Sequence, residues 1–126
     1  MSDREFLAEL RRHQTAPWSP SGCHEHFGKH KTEIEPLIGR PLTEHEYEAL
    51  SEDVRLHLDM VLTGFDTDSG QAVYVFVKTI EGHSAIMLAI TRGRHIRTVF
   101  PAKIAWWRAQ HVEMVEVTDR VNRIRY

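Results

Sequence analysis

Residues 22–30, GCHEHFGKH, concentrate the side chains that can carry chemistry. The segment holds three histidines, one cysteine and one glutamate in nine positions. Imidazole gains and loses a proton near neutral pH, so histidine serves both as an acid–base catalyst and as a metal ligand. The segment therefore predicts a metal site or an acid–base centre, and the competing interpretation is a histidine-rich surface.

A metal centre would need more ligands than this segment offers. His26 and His30 are four residues apart, so on a helix they share one face and could chelate an ion with help from Cys23 or His24. Zinc takes three or four ligands, usually with a second pair from elsewhere, but the chain has no CxxC pair and no second HxxxH pair. The spacing also differs from the HExxH pattern of metalloproteases. We expect no metal and no cofactor, and a metal-dependent hydrolase is the weakest hypothesis.

Acid–base cleavage of RNA requires no metal, because the 2′-hydroxyl of the strand is itself the nucleophile. The reaction needs a base for that hydroxyl, an acid for the leaving 5′-oxygen, and cations or N–H donors for the charge that develops on phosphate. A helical histidine that faces basic and hydroxyl side chains on a sheet would meet these needs. The predicted strands offer such side chains at Lys78, Arg92, Arg94, His95, Arg97 and Thr98.

Cys23 is the only cysteine of the chain, so an internal disulfide is excluded. This favours a cytoplasmic site of action. A cysteine hydrolase would pair Cys23 with His24 or His26, but close neighbours in sequence seldom have the geometry of a Cys–His pair. We interpret Cys23 as a small buried or loop residue.

The first half of the chain predicts helices. Phe6, Leu7 and Leu10 share one face of a helix over residues 3–13, and the two prolines in residues 15–22 indicate a loop. A short helix is expected at about residues 24–31, followed by a connection that contains Pro36, Gly39 and Pro41. TEHE at residues 43–46 is a capping box that opens a third helix, which ends at the turn residues 64–70. Its apolar face is formed by Tyr47, Leu50, Val54, Leu58 and Val61.

The second half predicts a β-meander. Residues 72–80, 84–92 and 94–100 are rich in β-branched and aromatic side chains, and the short connections at 81–83 and Gly93 favour antiparallel hairpins. Pro101 is expected to stop the third strand, a short helix follows at 102–111, and residues 112–118 form a fourth strand. The predicted fold class is α+β, with N-terminal helices packed on a small four-stranded antiparallel sheet.

Alternation along the third strand limits which side chains can meet. Arg94, Ile96, Thr98 and Phe100 should lie on one face, and His95, Arg97 and Val99 on the other. His95 and Thr98 then cannot share a site unless a bulge intervenes. Adjacent helical residues point about 100° apart, so we expect one of Trp106 and Trp107 in the core and the other exposed.

The length predicts a single domain, and the charge differs in sign between its N-terminal and C-terminal parts. The 126 residues suit a single domain, divided into a helix and loop at 1–22, a helical part at 23–63 and a sheet part at 71–118. Residues 1–91 carry 8 Lys/Arg and 15 Asp/Glu, a net of −7, and residues 92–126 carry 8 and 3, a net of +5. The basic end suits an anionic partner, unless the two ends pair with each other. The chain shows neither a membrane-spanning run nor a secretory signal.

Taken together, HFGKH on a helix, VYVFVK on a strand and IMLAITRGRHIRTVFP resemble the Barnase–EndoU–colicin–RelE-like (BECR) nuclease superfamily over about residues 23–118. The resemblance implies a small metal-independent ribonuclease of the kind found as toxin domains, with N-terminal helices on a four-stranded antiparallel sheet. Carried over by position, it implies His30 or His26 as the general acid–base, Lys78 and Arg94 as phosphate-stabilising groups, and Thr98 as a positioning group. It leaves open which of His24, His26 and His30 matches the catalytic histidine.

The leading hypothesis is a metal-independent, toxin-like endoribonuclease that cleaves RNA, with tRNA as one candidate. It would act in the cytoplasm, either where it is made or after delivery from another cell or a phage, and would need a cognate inhibitor, immunity or antitoxin protein. The predicted catalytic residues are His30, His26, Lys78, Arg94 and Thr98, and the predicted substrate-binding residues are Arg92, Arg97, His95 and Lys103. The alternative is a non-enzymatic regulator or inhibitor module whose acidic face binds a nuclease by mimicking its phosphate ligand.

Overall fold

A computed structural model describes residues 2–80, 85–110 and 113–125. In these residues the helices are α1 (Asp3–Gln14), α2 (Gly22–Ile38), α3 (Glu44–Leu56), α4 (Ile104–Gln110) and α5 (Thr118–Arg125). The strands are β1 (Met60–Phe65), β2 (Ala72–Thr79), β3 (Ala85–Arg92), β4 (His95–Lys103) and β5 (Val115–Glu116). They form one antiparallel sheet in the order β4-β3-β2-β1-β5. The α+β class and the meander are confirmed, but the sheet has five strands, and the prediction of four is wrong.

The sequence predicted neither strand β1 nor helix α5, and β1 lies where part of a helix was expected. Leu58 and Val61 continue the helical spacing of α3, so the pattern predicts helix up to residue 63. In the structure α3 ends at Leu56, where the N–H of His57 donates to the Asp53 carbonyl at 2.8 Å, and β1 begins at Met60. Local periodicity does not reveal this strand, because its partner is the distant β2. The predicted fourth strand is β5, shortened to two residues beside β1.

Both faces of the sheet are covered. On one face α1, α2, α3 and α5 pack over a core that includes Leu10, Ile34, Tyr47 and Val121. On the other face Trp107 of α4 packs against side chains of β1, β2 and β3. Burial on both faces explains why β2 and β3 are almost continuously apolar. Trp107 is 1% exposed and Trp106 is 56% exposed, which confirms the expectation of one core and one exposed tryptophan.

Helix α2 is longer than the expected helix at residues 24–31. It runs for 17 residues, with Pro36 inside its last turn, and ends at Gly39 in the left-handed conformation with φ of 74°. Its sheet-facing stripe explains the extra length, because burial of these side chains stabilises the turns beyond residue 31. The stripe consists of Cys23, Phe27, His30, Ile34 and Ile38. Helix α3 begins as predicted, with Thr43 and Glu46 forming both hydrogen bonds of a capping box.

Strand β4 lies at the edge of the sheet, and this position accounts for a misplaced boundary. The sequence predicts that Pro101 stops the strand, but the strand continues to Lys103, with Pro101 opposite Met87. An edge strand tolerates proline because its outer side has no partner strand to receive an N–H. The turn predicted at 81–83 and positions 111–112 lie outside the described residues.

A bulge in β4 changes which side chains share a face. Thr91 pairs with Ile96 and Ile90 pairs with Thr98, so Arg97 is an extra residue between the two pairs. Ile96 therefore joins Val99 in the helix-side core, whereas Phe100 contacts the cluster on the opposite face and, at the sheet edge, also His30 of α2. The predicted alternation over residues 94–100 is wrong beyond Arg97.

Candidate functional site

Four aromatic rings form a row where α2 packs on β4. The rings of His26 and His30 are stacked with centroids 5.9 Å apart, as their spacing of four residues on one helix allows. Trp18 extends the row beyond His26 at 5.8 Å, and Phe100 of β4 extends it beyond His30 at 5.5 Å. We call these four side chains the histidine row.

His30 is hydrogen-bonded at both ring nitrogens. Its Nδ1 lies 3.1 Å from Glu33 Oε1, and its Nε2 lies 3.2 Å from Thr98 Oγ1. When Glu33 is ionised it can only accept, so Nδ1 carries a proton and the ring is fixed with Nε2 towards β4. The structure thus brings together two of the predicted catalytic residues, His30 of α2 and Thr98 of β4, which are 68 positions apart in the sequence.

His26 stands beside His30 in a different environment. Its Nδ1 is buried and has no hydrogen-bond partner among the described residues. Burial lowers the pKa of His26, as do the neighbouring His30, Lys29 and Arg97, while Glu25 opposes the shift. The ring is therefore neutral at pH 7, as a general base must be.

His24 and Cys23 do not take part in the row. His24 is exposed, and its Nδ1 lies 2.8 Å from Glu44 Oε1 of α3. Burial raises the pKa of the Cys23 thiol, and the carboxylates of Glu48 and Glu44 add to the effect, so little thiolate is present at pH 7. Within the described ranges, no three His, Cys, Asp or Glu side chains are grouped so that they could hold a metal ion.

Lys78 is engaged away from the histidine row. Its Nζ lies 2.9 Å from Asp53 Oδ2 of α3, and Asp53 also lies 3.0 Å from Nδ1 of His57. The hydrogen bond from Lys78 lowers the pKa of Asp53, although burial acts in the opposite direction. Because β2 is separated from β4 by β3, the structure does not bring Lys78 to His30.

Most of the other predicted basic residues surround the β3–β4 turn, whereas Lys103 lies at the opposite end of β4. Arg94 lines a cleft of about 680 Å³ between α1 and this turn, and a smaller cleft of about 370 Å³ adjoins it. The smaller cleft is lined in part by Arg92, Arg94, His95 and Arg97. Arg92 is paired with Asp66 at 3.0 Å, whereas His95, Arg97 and Lys103 are exposed. Of these residues, Arg97 interacts electrostatically with the histidine row, since its charge contributes to the lowered pKa of His26.

His13 is the candidate that sequence reasoning missed. It lines the larger cleft, is only 3% exposed, and stacks on Tyr74 with ring centroids 4.2 Å apart. Its Nδ1 lies 2.6 Å from Thr91 Oγ1. Burial lowers the pKa of His13 to about 4, with a further contribution from Arg12. The sequence did contain a signal, because His13 follows Phe6 by seven positions and Leu10 by three on the buried face of α1.

No protein-family model matches the chain, and neither a curated protein nor a solved structure matches it. No helix in the described part of the chain is long and apolar enough to cross a membrane. The function must therefore be inferred from the geometry of the chain itself.

Proposed function

We propose that this chain is a metal-independent endoribonuclease whose acid–base pair is His26 and His30. The observation that supports this is the pair of stacked imidazoles on α2, one of them hydrogen-bonded to Thr98 of the edge strand. Cleavage by the 2′-hydroxyl requires a base on one side of the phosphorus and an acid on the other. Two imidazoles with centroids 5.9 Å apart can act on the two reacting oxygens of one phosphodiester, the attacking 2′-oxygen and the leaving 5′-oxygen.

The different environments of the two rings support a division of roles between them. His26 has a lowered pKa, so it is deprotonated at pH 7 and takes the proton of the 2′-hydroxyl. His30 is the acid of the pair: its Nε2, which is bonded to Thr98 in the free chain, would exchange that partner for the leaving 5′-oxygen, while Glu33, 3.1 Å from Nδ1, holds the ring. Thr98 positions the Nε2 of His30 through its hydroxyl.

Arg97 is the cation best placed to balance charge on the reacting phosphate. It is exposed, lies at the bulge of β4 and acts electrostatically on His26. Arg97 would thus provide the phosphate-stabilising charge that the sequence suggested for Lys78. Arg92, Arg94, His95 and Lys103 would hold the RNA, with tRNA as one substrate. One helical histidine beside a strand threonine is what the resemblance to the BECR superfamily implies. The proposal also includes action in the cytoplasm and a cognate inhibitor protein.

The test is substitution of each histidine of the segment. We expect His26→Ala and His30→Ala each to lower the rate of tRNA cleavage by about 100-fold or more, because each removes one half of the acid–base pair. His24→Ala is the matched control, because His24 is on the same helix but pairs with Glu44 instead of joining the row. Circular dichroism would verify that all three variants fold. Equal loss in all three, or full activity in the first two, would contradict the assignment.

A second candidate function is supported by the separation of Lys78 from the histidine row. A protein-binding module has no need to gather these groups at one site. Glu44, Glu48 and Glu52 are exposed at intervals of four residues on α3 and form an acidic stripe. Such a stripe would suit a basic partner such as a nuclease. RNA that stays intact with folded protein, with EDTA and with added zinc alike, would favour this function.

A further inference from the structure

The larger cleft is a second polar site, apart from the histidine row. It has a volume of about 680 Å³ and lies between the C-terminal half of α1 and the β3–β4 turn. Its polar lining includes Glu9, Arg12, His13, Gln71 and Arg94. The proposed cleavage chemistry uses none of these residues as acid or base. The cleft is therefore a separate candidate binding site.

Two guanidinium groups from different elements line this cleft. Arg12 belongs to α1 and Arg94 to the β3–β4 turn, and both side chains are exposed. Neither forms an ion pair with another described residue. The carboxylate of Glu9 also lines the cleft, which leaves an excess of one positive charge. Guanidinium pairs with this excess favour phosphate, which accepts two parallel hydrogen bonds from each arginine.

A buried imidazole provides a third contact. The Nδ1 of His13 is hydrogen-bonded to Thr91 Oγ1, and when Nδ1 accepts from this hydroxyl, the proton on Nε2 can be donated to a ligand oxygen in the cleft. One face of the His13 ring is also held by stacking on Tyr74. Because His13 is almost fully buried and its ring is held on two sides, this contact is preorganised.

The turn is shaped so that a polar side chain reaches the cleft. Gly93 has φ of 61°, a left-handed conformation that favours glycine. A Cβ at this position would lie 2.7 Å from Gln71 Nε2, so glycine makes room for the Gln71 amide beside the turn. Arg94 follows Gly93 directly, and the side chains of Gln71 and Arg94 both line the cleft.

We propose that this cleft binds a phosphate group, with Arg12 and Arg94 as its cationic ligands and His13 Nε2 as a third contact. The phosphate belongs either to a free nucleotide or to a nucleic-acid strand, and both sources share the same recognition chemistry. This site is independent of the acid–base role of His26 and His30. Occupancy by a strand would hold RNA at a point separate from the one where it is cut.

The experiment is a titration of the whole chain with 5′-AMP, adenosine and a 2′-O-methyl RNA hexamer, which resists cleavage because its 2′-oxygens are blocked. Calorimetry gives the affinity, and the NMR signals of the His13 imidazole report the place of binding. We expect 5′-AMP to shift the His13 signals, adenosine to bind at least about tenfold more weakly, and Arg12→Gln and Arg94→Gln each to weaken 5′-AMP by about tenfold. Hexamer binding that is tighter than that of 5′-AMP, shifts the His13 signals and is weakened by Arg12→Gln would identify a strand as the ligand, and weaker binding at His13 would identify a free nucleotide.

Arg4→Gln is the matched control, because it removes the same charge from an exposed position of α1 that does not line the cleft. An equal loss of affinity in Arg4→Gln and Arg94→Gln would overturn the proposal, since net charge alone would then explain binding. Unchanged His13 signals at saturation, or adenosine as tight as 5′-AMP, would also overturn it. The titration involves no cleavage, so failure here and failure of the ribonuclease proposal are separate results.

Discussion

His13 and His26 are both neutral at pH 7, but only one of them is locked into the core. His13 is hydrogen-bonded to Thr91 and stacked on Tyr74. His26 is partly exposed, and its buried Nδ1 has no partner among the described residues. The first environment suits a fixed ligand-binding group, and the second suits a ring that exchanges a proton with a substrate.

The pH dependence of stability should report His13. The pKa of His13 is about 4 in the folded chain and has the ordinary value of 6.5 in the unfolded chain. Between these values the unfolded chain binds more protons, so the free energy of unfolding falls as the pH is lowered from 6.5 to 4. The loss assigned to this ring is about 3 kcal/mol at most.

Urea unfolding at pH 7 and pH 4.5 would measure this effect in the natural chain and in His13→Gln. Carboxylates also titrate in this range, so the informative quantity is the difference between the two proteins. We expect a smaller loss of stability on acidification in His13→Gln, because the variant has no ring to protonate. The same loss in both proteins would show that His13 does not govern this transition.

At the scale of elements, α3 fixes the strand that bears Thr98. The hydroxyl of Tyr47 donates to the Val99 carbonyl at 2.6 Å, and both residues are fully buried. Burial raises the pKa of Tyr47 well above its ordinary value, so the hydroxyl keeps its proton. The ring also packs at 5.8 Å from Trp18 and 5.9 Å from Phe27. Tyr47 of α3 thus contacts both β4, through Val99, and α2, through Phe27.

Tyr47→Phe should lower both stability and RNA cleavage. The variant keeps the ring but leaves the Val99 carbonyl without this donor, at a cost of about 1–3 kcal/mol. The neighbouring Thr98 would then be less well held against His30. Thr43→Ala is the control, since loss of the helix cap should cost about 1 kcal/mol while cleavage is unchanged. Urea unfolding and tRNA cleavage measure the two effects, and equal cleavage by both variants would refute a positioning role for Tyr47.

Some elements could be predicted because their signals are local. The capping box at Thr43 and Glu46 depends on four consecutive residues, and the turn at Gly93 depends on one. Strand β1 and the bulge at Arg97 could not be predicted, because both arise from pairing with distant strands. Sequence periodicity at Leu58 and Val61 even favoured the wrong structure.

The same distinction applies to the site. A helical histidine near the sheet could be expected, since an N-terminal helix must pack on it, but the sequence left open which of His24, His26 and His30 it is, and the contact of His30 with Thr98 is seen only in the structure. Lys78 could not be excluded from the sequence. Its ion pair with Asp53 depends on α3 lying over β2, which the order of elements does not specify. His13 was missed because it is a lone histidine at the end of an amphipathic helix.

At the scale of the whole molecule, the two charged ends partly neutralise each other. Arg92 pairs with Asp66 and Arg120 pairs with Asp3, which joins the basic C-terminal part to the acidic N-terminal part. Among the described residues, Arg94, Arg97 and Lys103 are exposed and form no ion pair. The positive charge of Arg94 and Arg97 therefore lies at the two clefts beside the β3–β4 turn, where an RNA strand would bind.

We expect the chain to cleave RNA through the 2′-hydroxyl and without a metal. The most direct measurement incubates purified protein with tRNA in excess EDTA, next to a DNA copy of the same sequence, and identifies the ends of the products. We predict discrete tRNA fragments that end in a 2′,3′-cyclic phosphate, and intact DNA, because only RNA carries the nucleophile. Cleavage of both substrates, or tRNA that remains intact with EDTA and with added zinc, would contradict the claim.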